Sequence, residues 1–260
     1  MSELRKILLI FTVIFFAGFA QAQQTLRIAA AADLQPLLPG ILTDFTAQTG
    51  IHAEASYQSS ATLATQIVNG APFDVFMAAD LSFPQRVIAA GLAEETQPTV
   101  YAQGTLVLWT RNDSGIKTLS METLRDPAVK SIAVANAEHA PYGRAAQAAL
   151  THLGLYDELK PKLVVAENIA QTAQYVDSGN AQAGFLSLTS AMTPRLKASG
   201  HFILVPRDAY PPILQGVIVI KRAGADSADA HRFLDFLASA PIVHRLEAGG
   251  LAAPTGAQAK

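Results

Sequence analysis

The stretch LRIAAAADLQPLLPGILTDFTAQTGIHAEASYQSSATLATQIVNGAPFDVFMAAD, residues 26–80, decides the fold class. It alternates short apolar runs with amphipathic segments, the signature of βα units around a mostly parallel sheet. Thr25–Ala32 reads as a strand. Leu34, Leu37, Leu38, Ile41 and Phe45 then recur at helical spacing, and Gly50 ends that helix. Pro39 lies inside the segment and lacks a backbone donor, so the helix is expected to start late or with a distorted first turn. His52–Tyr57 reads as a second strand, Ser60–Asn69 as a helix closed by Gly70, and Asp74–Ala78 as a third strand. A helix capped by Asp80 then runs to Gly91.

The same alternation continues downstream. Thr105–Thr110, Ser131–Ala135, Leu163–Ala166, Ala183–Ser187, Phe202–Val205 and Val217–Ile220 read as strands. Gly143–Leu153, Ile169–Ser178, about 226–238 and Ile242–Glu247 read as helices, before a soft tail rich in Ala, Gly and Pro. Two α/β units in tandem predict two lobes with a cleft between them. Residues 23–102 form the first lobe, 103–212 the second, and 213–260 return to the first. The chain is expected to cross near Tyr101–Gln103 and near Pro211–Gln215.

Toward the N-terminus, Arg5 and Lys6 precede an apolar run from Ile7 to Phe19, broken only by Thr12 and Gly18. Ala20-Gln21-Ala22 follows as a small-x-small cleavage site, so residues 1–22 read as a secretory signal. The competing reading is an uncleaved anchor, but the run falls short of the ~20 apolar residues of a membrane span. The expected location is the periplasm. The sequence has no cysteine, so no lipid-modified cysteine is expected after the signal. Without Glu3, Arg5 and Lys6, 17 basic side chains face 20 acidic ones. That balance carries no footprint for nucleic acid and attracts no anion by bulk charge. Any anion site must therefore be built from local dipoles.

Several helices begin just after a strand with small or polar residues: Ala32-Asp33, Ser59-Ser60, Pro141-Tyr142-Gly143 and Asn168-Ile169. Asn168 and Gln171 have the spacing of a capping pair. A helix start leaves backbone N–H groups unpaired and carries roughly +0.5 charge. In open α/β sheets ligands collect at the carboxyl ends of the strands, where these starts lie. Each such residue alone is explained by ordinary capping, worth about 1 kcal/mol. Four starts converging from two lobes would make an anion site without Lys or Arg, and the Ser60 hydroxyl would add a donor.

Beyond this pattern, Ile28–Leu34, Gln58–Leu63, the NGAPFDVFMAAD run at 69–80 and Glu138–Gly143 resemble the periplasmic molybdate-binding proteins, with Gly184-Phe185-Leu186 a further block. The similarity runs in order from Leu26 to Leu251. It implies a two-lobed periplasmic binding protein (type II) fold of the α/β class, with the ligand in the interlobe cleft. It further implies capture of molybdate, and of tungstate, for the permease of an ABC importer. No cofactor is expected, and a monomer is expected because nothing in the sequence suggests an oligomer seam. Carried over by position, the first lobe contributes from Ala32, Asp33 and Ser60, and the second through amides at Tyr142 and Ile169. Ser187 stands where some relatives carry a ligand tyrosine. Many relatives place a hydroxyl, or a threonine followed by asparagine, where this chain has Ala32-Asp33. Asp33 is therefore expected to turn its carboxylate away as a cap and to offer only its amide.

Other readings remain. Sulfate or phosphate would suit a similar site. A hydrolase would need a G-x-S-x-G elbow, an H-E-x-x-H pair or a phosphate loop, and none is present. The sensing half of a transcription regulator would need a DNA-binding motif where the signal stands. The histidines show no metal-ligand spacing. Asp74 reads as structural, Asp80 as an N-cap and Trp109 as core.

Overall fold

The signal at 1–22 and the position-226 start of the penultimate helix lie outside the residues described by the computed structural model, 25–222 and 227–254. In chain order the elements are β1 (Leu26–Ala31), α1 (Leu38–Thr49), β2 (Ala53–Gln58), α2 (Ser60–Val68), β3 (Val75–Ala78), α3 (Ser82–Ala89), β4 (Thr99–Gly104) and β5 (Leu106–Arg111). There follow β6 (Ile132–Ala135), α4 (Pro141–His152), α5 (Tyr156–Leu159), β7 (Leu163–Ala166), α6 (Ile169–Asp177), β8 (Ala183–Ser187), α7 (Leu188–Ala191) and α8 (Pro194–Ser199). The last are β9 (Gly200–Leu204), β10 (Ile213–Val219), α9 (Ala228–Leu237) and α10 (Ala240–Ala248).

These strands form two mixed five-stranded sheets, ordered β2-β1-β3-β10-β4 and β7-β6-β8-β5-β9. β1 runs parallel to β2 and β3, while β10 runs against β3 and β4. β6 runs parallel to β7 and β8, while β5 runs against β8 and β9. In each sheet the reversed strand is the one that enters after the chain has come from the other sheet. The sheets are thus mixed rather than mostly parallel.

The late helix start at Pro39 has a simple cause. β1 ends in a 3-10 turn, Ala32–Leu34, and α1 begins only at Leu38 with Pro39 in its first turn. There the missing N–H costs no helical bond. Gly50 closes α1 at φ 75°, a left-handed position that favours glycine. β4 escapes the sequence reading because Thr99–Gly104 is an edge strand, paired with β10 and bridged to Ala252 through Gln103, without an apolar run. The short helices α5, α7 and α8 are likewise below the length at which periodicity shows.

Buried side chains fill the space between sheets and helices, and Trp109 is among them, fully enclosed on β5. Asp74 is structural: it accepts the Arg27 N–H at 2.8 Å and pairs with Arg222. One apolar cluster joins Leu106, Leu108, Tyr142, Ile169 and Ile213 to Ala31, Ala32 and Ala79, just at or beyond the ends of β1 and β3. The core therefore continues from one sheet to the other at the carboxyl ends of the first sheet's strands. That junction positions the site.

Candidate functional site

Ala32 and Asp33 occupy the 3-10 turn that leaves β1, and both are buried. Asp33 is not the cap of this turn: Ala31 holds the N-cap position, without a side-chain bond. Instead Oδ2 accepts the Tyr142 hydroxyl proton at 3.1 Å and an amide proton from Gln215. Gln215 in turn accepts from the Tyr101 hydroxyl at 2.6 Å through Oε1. A polar chain thus runs Tyr101–Gln215–Asp33–Tyr142 through the junction. The other carboxyl oxygen, Oδ1, is buried without a hydrogen-bond partner. The expectation of a capping aspartate is corrected: two tertiary donors outcompete the local N–H groups.

Burial raises the Asp33 carboxyl from its ordinary 3.8 to about 6, although Gln215, Tyr142 and its own amide pull the other way. Tyr101 and Tyr142 are both held well above the ordinary tyrosine value, first by burial and then by the adjacent Asp33 charge.

Ser60 is the first residue of α2, behind Ser59, whose hydroxyl accepts the Thr62 N–H at 3.3 Å. The Ser60 side chain is buried, and its Oγ accepts the Ala79 N–H at 3.1 Å. With its oxygen used as acceptor, its own proton is left to donate. Tyr142 lies in the first turn of α4, behind Ala140 and Pro141, a start with no side-chain cap. Ile169 opens α6, where Asn168 accepts the Gln171 N–H at 3.0 Å. The Gln171 side chain reaches back to the Glu167 N–H at 2.7 Å, one residue before the cap.

These starts meet across the two sheets. The Ala61 N–H, next to Ser60, donates to the His139 carbonyl at 3.2 Å. Ala32 and Ala170, the latter beside Ile169, line one crevice, and α6 and α7 pack on the 3-10 turn. The Thr189 hydroxyl donates to the Asp33 carbonyl at 2.7 Å. At the rim Arg144 pairs with Asp80, and its guanidinium lies 5.2 Å from the centre of the Phe83 ring. Asp80 also accepts the Phe83 N–H at 3.2 Å, at the start of α3.

Ala32, Asp33, Ser60, Tyr142 and Ile169 are thus gathered at one junction. Ser187 differs: its hydroxyl caps α7 by accepting the Ser190 N–H at 3.3 Å and contacts the Ser190 and Thr189 hydroxyls. Sequence reasoning missed Tyr101, Thr189 and Gln215 as parts of this junction. The one available signal was a glutamine inside the apolar run Ile213–Val219. A β-bulge at Gln215–Gly216 marks the same spot. Chemically the junction offers amide and hydroxyl donors and a single buried acid. Among the described residues, no group of three or more His, Cys, Asp or Glu is arranged to hold a metal ion.

A sequence profile of bacterial extracellular solute-binding proteins matches residues 26–252. The molybdate-binding protein ModA of Rhodobacter capsulatus is 36% identical over 193 residues, 74% of each chain. The solved periplasmic molybdate-binding protein of Azotobacter vinelandii superposes with a TM-score of 0.82 at 32% identity, covering 88% of this chain and all of that one. The sulfate-binding protein SubI of Mycobacterium tuberculosis shares the fold, with a TM-score of 0.75 at 12% identity, covering 89% of this chain and 88% of its own.

Proposed function

The chain belongs to the bacterial extracellular solute-binding proteins, and from that premise we propose that it captures molybdate, and with it tungstate, in the periplasm for an ABC importer. The observation that carries the reading is the meeting of the Ala32–Leu34 turn, the α2 start and the α4 start across two sheets, tied by Asp33–Tyr142 and Ala61–His139. Helix starts aimed at one point suit an oxyanion, because unpaired N–H groups and aligned dipoles both favour negative charge. The choice of molybdate rests on the relatives at 32% and 36% identity, both molybdate-binding proteins.

In this reading the amides of Ala32, Asp33, Tyr142 and Ile169 and the hydroxyl of Ser60 hold the anion. Ser187 is assigned a supporting role, because its hydroxyl caps α7. Residues 23–102 and 213–260 act as one lobe and 103–212 as the other, closing on the ligand as the sheets are joined here. Closure excludes water and strengthens each charge–dipole contact.

Thermal unfolding of ligand-stripped protein against molybdate, tungstate, sulfate, phosphate and chromate tests the proposal. Ligand at a thousand times its Kd stabilises by about 4 kcal/mol, which for a chain of this size raises Tm by roughly 8–16 °C. Such a rise is expected with molybdate and tungstate. A rise with sulfate or phosphate alone would keep the fold and reject the ligand.

Ser60→Ala is expected to weaken molybdate binding by roughly tenfold to a hundredfold, the worth of one hydrogen bond to a charged group. It also strands the Ala79 N–H, a cost of about 1–3 kcal/mol, so Tm should fall by roughly 2–12 °C while the protein stays folded. Titration calorimetry checks this, and an unchanged Kd removes Ser60 from the site.

A further inference from the structure

One group in the junction does not belong among anion donors: the Asp33 carboxyl. It is fully buried, Oδ2 is held by Tyr142 and Gln215, and Oδ1 has no hydrogen-bond partner. Among the described residues, the ion pairs near the junction are made elsewhere, Arg144 with Asp80 and Arg195 with Asp177 at 2.6 Å, and the His139 ring lies 3.4 Å from Glu167. The elements around it present α4's Tyr142, β4's Tyr101 and β10's Gln215, while α7 offers the neutral Thr189 hydroxyl to the Asp33 carbonyl. α6 contributes Asp177, already paired, and β2 ends in the uncharged Ser56-Tyr57-Gln58. Among the described residues, no cationic side chain pairs with Asp33 to offset a second negative charge.

We propose that Asp33 makes oxyanion capture proton-coupled, so that the anion enters the site together with one proton shared between its oxygens and the Asp33 carboxyl. This rests on the reading that the Asp33 amide is one of the anion's donors. A dianion on that amide lies within the ~4–6 Å over which like charges strongly oppose joint ionisation. The proton comes from solvent. It can sit on Asp33 or on a ligand oxygen, and the two placements have the same total charge. Asp33 is on this account a specificity-determining residue: it favours an oxyanion that tolerates or carries a proton and penalises one that cannot share it.

The pH dependence follows from the sign of the coupling. Burial already brings Asp33 to about 6 before any anion arrives. An anion that prefers the protonated carboxyl raises it further. Affinity is then flat below the free-protein value and falls by at most tenfold per pH unit between that value and the raised one. Free molybdate stays a dianion across the pH range of the test, so the slope belongs to the complex and its Asp33 carboxyl.

The test is titration calorimetry of the full mature protein with sodium molybdate at pH 8, in Tris and in HEPES, whose ionisation heats differ. Close to one proton taken up per molybdate is expected, with Kd rising up to a hundredfold from pH 6 to pH 8. Asp33→Asn should take up none and show a flat Kd. His139→Gln, which leaves Asp33 in place, should keep the uptake. Tight molybdate binding by the unaltered protein with no proton uptake and no pH dependence overturns the proposal, and so does loss of uptake in His139→Gln. The proton count needs no variant, so a poorly folding Asp33→Asn does not blunt it. Absence of molybdate binding at every pH overturns the functional reading and this coupling with it, and is distinguishable from tight binding without a proton.

Discussion

Gly143→Ala is expected to lower stability by about 2–3 kcal/mol and to weaken molybdate binding by roughly a hundredfold or more. A Cβ at Gly143 would stand 2.3 Å from the Ala135 carbonyl oxygen and 2.8 Å from the Ala135 and Asn136 carbonyl carbons. These are backbone atoms and cannot swing aside. Ala135 is held in parallel register with Ala166, the Asn136 N–H donates to the Ala166 carbonyl at 2.7 Å, and the Asn136 carbonyl accepts from Ala140 at 2.8 Å. The helix start must therefore move. Alanine's better helix propensity, worth about 1 kcal/mol, offsets part of the overpacking and is included in the figure. Moving the start of α4 carries the Tyr142 amide away from the anion and its hydroxyl away from Asp33. A fall in Tm of roughly 4–12 °C together with the lost affinity is the expected pair. Wild-type values for both would mean that α4 can shift without cost, and that its first turn is not part of the site.

The contrast between Asn168 and Asp33 explains how far the sequence could be read. Asn168 takes its proton from Gln171, three residues on, so spacing alone announces it. Asp33 takes its protons from Tyr142 and Gln215, 109 and 182 residues away, and local pattern offered only a cap. The strands of residues 26–78 were legible because their apolar runs are bounded by Gly50 and Gly70 and by helical spacing. β4 was not, because an edge strand reading Thr-Val-Tyr-Ala-Gln-Gly has no run to detect. Its Tyr101 matters through a single hydroxyl that reaches Gln215 on the neighbouring strand. The helix starts at Ser60, Tyr142 and Ile169 could be marked from sequence, but their meeting could not. That depends on two crossings between sheets, and on a bulge that aims Gln215 at Asp33.

Asp33→Asn is expected to gain about 2–2.5 kcal/mol on the wild type between pH 4 and pH 7 in ligand-free protein. In the unfolded chain Asp33 gives up its proton near the ordinary 3.8, whereas the folded protein keeps it to about 6. Over that window the folded state binds more protons, so wild-type stability falls as pH rises, and the loss is complete above the folded value. A separation of about two pH units at 1.36 kcal/mol each gives about 3 kcal/mol in full, of which about 2–2.5 kcal/mol falls between pH 4 and pH 7, because the unfolded carboxyl is already more than half ionised at pH 4. The absolute stability of the variant depends on how its amide is received: its carbonyl can still accept from Tyr142 and Gln215, but its NH2 replaces an oxygen with no hydrogen-bond partner. The difference in pH slope does not depend on that packing. Carboxyls common to both proteins cancel in it, and the two tyrosines titrate far above the window. Urea unfolding at pH 4, 5, 6 and 7 after removal of bound anion measures the slope. Parallel curves would show that the Asp33 carboxyl ionises as freely in the fold as in water. The junction would then have to be open to solvent, and a dianion could sit beside the carboxylate without bringing a proton.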